Sequence, residues 1–350
     1  MTQPLVWCLL GRKAGDNTQV CALAAELGYP CQEKHIVAQP WELLVHLGPR
    51  ASLAGINVAR SSTLAPPWPE LVITAGRRNE PVAHWIQRQS AGHSRLVHIG
   101  RPWAALDSFD LIVTTPQYFL PQRHNILHNQ LPLHRRLPAE LQQAGQAFAP
   151  LWRELPRPWI AMLVGGNSGR FVFTPAKARQ LGLQCNQLAR DLGGSLLISN
   201  SPRTPEGATD ALLEQISVPH YCYRFGKGGK NPYAGLLALA DVFVVTGESM
   251  SMLAEASSTN KPLLIFDIGD ADAIWWRQRH NYRYKPLSHR FAMRFGPRRM
   301  RRDVSRIQQS LIESQRANWL GEPPPAPPPS GQDTELANTA DRVRQLLRSS

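Results

Sequence analysis

Short apolar runs alternate with longer polar or mixed stretches along this chain, and their rhythm predicts a layered α/β protein. Residues 5–10, 35–37, 71–74, 96–99, 111–114 and 125–128 read as short strands, with helical periodicity over about 18–27 and about 82–89. Residues 137–157 form a helical connector that ends in Leu-Pro-Arg-Pro, a break suited to a domain boundary. The rhythm then restarts, with strands at 159–164, 196–198, 221–225, 242–245 and 262–266 and helices at about 175–192, 233–240 and 248–257. Strands this uniformly apolar suit a parallel sheet covered by helices on both faces. The expectation is therefore two doubly wound α/β halves facing each other, divided as 1–150 and 151–320. A third segment, 321–350, holds a polyproline spacer (323–329) and a short amphipathic helix (335–347) that either folds back on the body or stands free.

Punctuation supports these assignments. Gly28-Tyr29-Pro30 stops the first helix, Asp16 or Asn17 can cap its start, Pro175 follows a Thr at the start of the long helix, and Gly193-Gly194 ends it. An apolar fraction of 43% over 350 residues is enough for two cores. No window reaches the ~18 consecutive apolar residues of a membrane span, and the first residues lack the basic start of a signal peptide. Five scattered cysteines without a C-x-x-C pair point to a reducing, cytoplasmic setting with neither disulfide framework nor zinc site. The net charge of +13 calls for an anionic partner. Much of it lies in a basic-aromatic stretch, 282–302, whose mixture suits an anionic membrane surface; no nucleic-acid-binding signature accompanies it, so no nucleic acid is expected.

Three loops carry candidate chemistry. Residues 241–266 form a βαβ unit in which Gly247 makes the turn, and Ser249, Met250 and Ser251 open the helix. Unpaired backbone N–H groups and serine hydroxyls there would attract a diphosphate, and Glu255, about one turn further on, could accept ribose hydroxyls. After the strand at 159–164 comes Gly165-Gly166-Asn167-Ser168-Gly169-Arg170, in which glycines permit close backbone approach to a ligand while Asn167, Ser168 and Arg170 supply donors. Lys227 and Lys230, in a glycine-rich loop, could add charge. In the first half, Gly11 to Asn17 follows a strand at the edge where open α/β sheets bind ligands. Arg12 and Lys13 could meet an anion, and Asp16 serves there either as a helix cap or as a general base. Arg77, Arg78, Asn79, Glu80 and Arg101 sit at the corresponding ends of later strands. Neither a dinucleotide fingerprint nor Walker spacing is present.

Taken together, the opening WCLLGRKAGDNTQ, the loop VGGNSGRFVFTP and the stretch VTGESMSMLAEASSTNKPLLIF resemble a bacterial family related to the plant elongated-mitochondria fission factor and often described as nucleoside-diphosphate-sugar enzymes. The resemblance covers roughly the first 320 residues and leaves out the proline-rich tail. The second half is more distantly similar to GT-B glycosyltransferases such as the lipid-linked N-acetylglucosaminyltransferase of peptidoglycan synthesis. That likeness implies a GT-B-like pair of Rossmann-like domains across a cleft, with a nucleotide sugar held by Gly165 to Ser168, by Ser249 to Ser251, and by Glu255. It also implies an acceptor facing Lys13 to Asp16. The catalytic His of that enzyme's first loop has no counterpart here, and Asp16 alone could replace it. The implied function is metal-independent glycosyl transfer without a cofactor, onto a membrane-associated or cell-envelope acceptor on the inner face of the cytoplasmic membrane. Arg170 and Lys227 would neutralise the leaving diphosphate, and Asp16 would deprotonate the acceptor. The alternative is a non-catalytic, membrane-recruited scaffold that keeps a degenerate nucleotide-sugar cleft; a nucleotide-sugar epimerase is a third option, suggested only by the family's naming.

Overall fold

A computed structural model of the chain describes residues 3–41, 45, 51–134, 138–168, 171–269, 295, 302–327 and 335–348. The chain divides into two compact units, one formed by Met1–Arg135 with Asp333–Ser350 and the other by Arg136–Gln332.

In the first unit β1 (Val6–Leu10), α1 (Ala14–Leu27), β2 (Cys31–His35), β3 (Leu71–Ala75), α2 (Glu80–Gln89), β4 (Arg95–Ile99), β5 (Leu111–Thr114) and β6 (Ile126–His128) follow in order. The six strands are all parallel, arranged β2-β1-β3-β4-β5-β6. Alternation along each strand feeds two cores at once. Val6, Cys8 and Leu10 pack with Leu71, Ile73 and Val97 beneath Val20, Leu23 and Leu27 of α1. Trp7 and Leu9 join Val72, Leu96 and Ile112 beneath Val82, Ala83 and Ile86 of α2. The strand expected at 35–37 is instead β2, whose sequence CQEKH is polar and mostly exposed. An edge strand needs backbone pairing on one side only and little apolar surface, which is why hydrophobic periodicity misses it. Helix α1 starts a turn earlier than expected, so Lys13 takes the N-cap position and neither Asp16 nor Asn17 caps it.

The second unit contains α3 (Pro138–Trp152), β7 (Trp159–Val164), α4 (Pro175–Leu192), β8 (Ser195–Asn200), α5 (Ala208–Leu213), β9 (His220–Tyr223), α6 (Tyr233–Leu239), β10 (Val242–Thr246), α7 (Met250–Ser257), β11 (Leu263–Phe266), α8 (Ser305–Glu313) and β12 (Asn318–Trp319). Its strand order is β12-β11-β10-β7-β8-β9, again all parallel. Counted from β7, this is the Rossmann order 3-2-1-4-5-6. The punctuation of α4 acts as expected: the Thr174 hydroxyl accepts the Lys177 N–H, and Gly193 closes the helix in the left-handed region at φ 65°. Helix α3, the expected connector between the two halves, packs against α6 within the second unit.

The final helix, α9 (Glu335–Arg348), returns to the first unit instead of forming a separate tail. Ala340 and Val343 complete the core beneath α1. The Asn129 amide donates to the Thr339 hydroxyl at 3.0 Å, and Glu335 accepts the N–H groups of Gln130 and Leu131 just after β6. Arg344 donates to the Glu26 carbonyl at 2.7 Å, placing a cation at the negative end of the α1 dipole. Among the described residues, no helix is long and apolar enough to cross a membrane. Because Val343 is fully buried, Val343→Asp should destabilise the first unit by about 3 kcal/mol, read as a lowered urea midpoint of its unfolding transition.

Candidate functional site

Each parallel sheet has one place where neighbouring crossovers leave in opposite directions, and the loops at the carboxyl ends of the strands part there to form a crevice. In the second unit that place lies between β7 and β10. Gly165 and Gly166 follow β7; Gly247, Glu248 and Ser249 follow β10 and lead into α7. The loops interlock. Gly165 donates its N–H to the Thr246 hydroxyl at 2.8 Å, and Gly166 donates to Glu248 Oε1 at 2.6 Å. From the loop after β8, the hydroxyls of Ser201 and Thr204 both donate to the Gly165 carbonyl. A Cβ on Gly165 would lie 1.9 Å from Glu248 Oε1, and one on Gly166 would lie 2.1 Å from the Arg203 carbonyl oxygen. The glycine pair is thus required by the protein's own closure.

Arg203 completes this edge. Its Nη2 donates to the Ser249 hydroxyl at 3.1 Å and lies 3.6 Å from Glu248 Oε1, while the side chain remains 39% exposed. Glu248 itself is only 2% exposed, and its Oε2 has no hydrogen-bond partner among the described residues. Burial pushes its carboxyl above the usual carboxylate range, opposed by the Gly166 N–H and the Arg203 guanidinium. The arrangement sets a half-exposed cation on a serine hydroxyl that is itself buried, at the start of an eight-residue helix and backed by a buried acid.

The first unit repeats the plan between β1 and β3. Asn17 bonds both backbone groups of Gly11, accepting its N–H at 2.9 Å and donating to its carbonyl at 2.8 Å. From the other side Asn79 donates to the Leu9 carbonyl at 3.1 Å. Asp16 faces Gly76, at φ 69°, so closely that a Cβ there would come within 2.7 Å of its Oδ2; Lys13 lies 3.6 Å from the same oxygen. Glu80 is buried and accepts the N–H groups of Trp103 and Ala104 from the loop after β4, at 2.9–3.0 Å. Burial raises its carboxyl to about 7 against those N–H groups and the Arg77 guanidinium, which stacks 4.1 Å from the centre of the Trp103 ring.

The structure therefore brings Gly165, Gly166, Gly247 and Ser249 to one crevice, and Lys13 and Asp16 to another. Others lie elsewhere or are engaged. Asn167 accepts the Phe173 N–H at 2.8 Å, and Ser168 pairs its backbone with Phe171 within the same loop. Met250 is a core residue, whereas Ser251 on the same first turn is exposed. Glu255 accepts the Tyr233 hydroxyl and lines a cavity of about 660 Å³ walled by α3, α6 and the end of α7. Lys227 sits on an exposed loop leaving the edge strand β9, two strands away from the crevice. Arg170 and nearly all of the basic-aromatic stretch 282–302 lie outside the described residues. Arg203 and Glu248 received no role from the sequence. For Arg203 the available signal was a basic residue between prolines directly after a strand; for Glu248 no pattern separates an acid turned inward from one exposed at a helix start. Among the described residues no group of three or more His, Cys, Asp and Glu side chains is placed to hold a metal ion.

Mitochondrial fission ELM1 is the family that matches residues 14–320, and the chain belongs to it. Mitochondrial fission protein ELM1 of Arabidopsis thaliana is 28% identical over 276 residues, which are 70% of this chain and 63% of the plant protein, so the match spans less than two thirds of that relative. An uncharacterized protein of Rickettsia prowazekii (strain Madrid E) is 24% identical over 299 residues, 75% of this chain and 82% of its own length. Among solved structures, a glycosyltransferase from Rickettsia africae matches with a TM-score of 0.48 at 10% identity over 100% of both chains. A UDP-GlcNAc 2-epimerase from Neisseria meningitidis, bound to UDP-GlcNAc, matches with a TM-score of 0.49 at 13% identity over 99% of this chain and 100% of that one.

Two outcomes follow from the packing at these edges. Gly165→Ala should cost about 3 kcal/mol in the second unit, measured as a lowered denaturation midpoint, since the added carbon meets a buried carboxylate. Glu80 has a folded-state value of about 7, above that of an unfolded glutamate, so its stabilising share is present at low pH and is lost as pH rises from the ordinary glutamate range to about 7. The unfolding free energy of the first unit, from denaturant titrations, should fall over that window by up to about 1.4 kcal/mol per pH unit, and Glu80→Gln should flatten this part of the profile.

Proposed function

We propose that this member of the fission-factor family binds a nucleoside-diphosphate sugar and transfers the sugar without a metal ion, in the manner of a GT-B glycosyltransferase. The observation that carries the reading is the crevice between β7 and β10, where Gly165 and Gly166, the Ser249 hydroxyl and the Arg203 guanidinium converge on the start of α7. A diphosphate has the charge and the acceptor oxygens to match a guanidinium and a helix start. Arg203 then takes the role that the sequence assigned to Arg170 and Lys227, stabilising negative charge on the departing diphosphate. The acceptor hydroxyl would meet the loop after β1, where Asp16, held near Lys13 and Gly76, is the candidate base. A membrane-associated or cell-envelope acceptor remains the expectation attached to the stretch 282–302.

The second reading is a non-catalytic scaffold that recruits partners, and one observation favours it: the buried Glu248 carboxyl stands against the Gly166 N–H, where a phosphate oxygen would otherwise compete. A thermal-shift screen against UDP-, GDP-, ADP- and CMP-linked sugars separates the readings. At about 100 times Kd the expected stabilisation is about 2.7 kcal/mol. One nucleotide class should give the shift, and Arg203→Gln should weaken its binding by at least about tenfold. Asp16→Asn should keep the shift and lose turnover. Binding with turnover indifferent to Asp16 would remove the assigned base, and no shift with any donor would leave the scaffold.

A further inference from the structure

Glu248 has no part in the transfer described above, yet it is the most deeply buried acid at the second unit's crevice. Its surroundings are specific. Gly166 reaches it from the loop after β7, Arg203 from the loop after β8, and Thr246 and Ser249 adjoin it along its own loop. Gln308 of α8 stands behind the same turn, donating to the Gly247 carbonyl at 2.7 Å. Among the described residues Arg203 is the charged group that faces it. Against burial, the charged form of Glu248 is favoured by the N–H groups of Gly166 and of Glu248 itself, by the Thr246 hydroxyl and by the Arg203 guanidinium; of these the guanidinium alone carries a charge, and it is half out in solvent and shared with Ser249.

We infer that Glu248 is a proton-coupled gatekeeper of this crevice: a diphosphate ester draws Arg203 away from Glu248, and Glu248 takes up one proton as the ligand binds. The inference rests on the nucleotide-sugar reading of the same site. Its logic is electrostatic. A ligand phosphate and Glu248 compete for one guanidinium, and the loser is a buried carboxylate beside a new anion. The least costly resolution is for the carboxyl to become neutral, with the proton drawn from solvent and carried on Oε2, the oxygen that accepts no hydrogen bond among the described residues. No bond within the ligand changes. Binding is strongest where Glu248 is already neutral and weakens as pH rises above its free value, by up to about tenfold per pH unit. The occupied carboxyl of the resting state and the binding of an anion are then two protonation states of one site.

Isothermal titration calorimetry of the full chain tests this with UDP-, GDP- and ADP-glucose, whose diphosphates are esterified at both ends and do not titrate near neutral pH. Titrations between pH 6 and pH 9, each in two buffers of different ionisation enthalpy, count the protons taken up. The expected result is uptake approaching one proton at the alkaline end, with affinity falling as pH rises. Glu248→Gln, which keeps an oxygen for the Gly166 N–H, should bind with no such uptake and a flatter pH profile. Binding by the wild-type protein without proton uptake, or the same uptake in the Gln variant, would overturn the coupling and leave the nucleotide-sugar reading standing. No heat with any of the three sugar nucleotides, in either protein and at any pH, would overturn both. The proton count on the wild-type protein decides the matter even if the variant does not fold.

Discussion

A strand in a parallel sheet cannot turn straight back into its neighbour; the chain must first recross the sheet, here mostly through a helix. Both candidate sites follow from that constraint. It collects the loops that leave the strands at one edge of each sheet, and it opens a crevice where the direction of crossover reverses. Both units obey it with different strand orders, and both place their glycine-rich first loop beside that reversal: Gly11 to Asn17 next to β3, and Gly165 and Gly166 next to β10.

The two crevices share a second device. Each has a buried glutamate at the start of the helix that follows the strand across the reversal: Glu80 after β3 and Glu248 after β10. Each accepts backbone N–H groups from a loop on another strand, Trp103 and Ala104 in one case and Gly166 in the other. An acid used this way ties the loops of separate strands together through their main chain, so the rim of the crevice is held independently of what occupies it. Desolvation opposes the charge on both carboxyls.

Most of the framework was legible because burial on both faces leaves a strong mark. The runs IAMLV in β7 and VFVV in β10 can hardly be anything but central strands, and Thr174, Pro175 and Gly193 delimit α4 by local chemistry alone. Legibility failed where an element does not depend on apolar burial. Strand β2 has a polar edge sequence, and α1 begins at Ala14 within a stretch that looks like loop because Lys13, Gly15, Asp16 and Asn17 favour turns. The crevices were found at the level of loops rather than side chains. Strand rhythm locates Gly165, Ser249 and Asp16 at the carboxyl edge of the strands, but whether a side chain turns inward depends on partners far away in sequence. Glu248 meets Gly166, and Arg203 meets Ser249, only once β7, β8 and β10 are side by side.

The return of α9 to the first unit gives the protein an order of assembly. The second unit is an insertion within the first, which begins before it and is finished only after it. On a ribosome, the whole of the second unit emerges before Ala340 and Val343 are available to close the core beneath α1. Until then Val20, Leu23 and Leu27 have an incomplete cover, and the end of α1 waits for the cation at Arg344. The nascent first unit is therefore the part that a chaperone would meet exposed, and the emergence of α9 is the step that completes it.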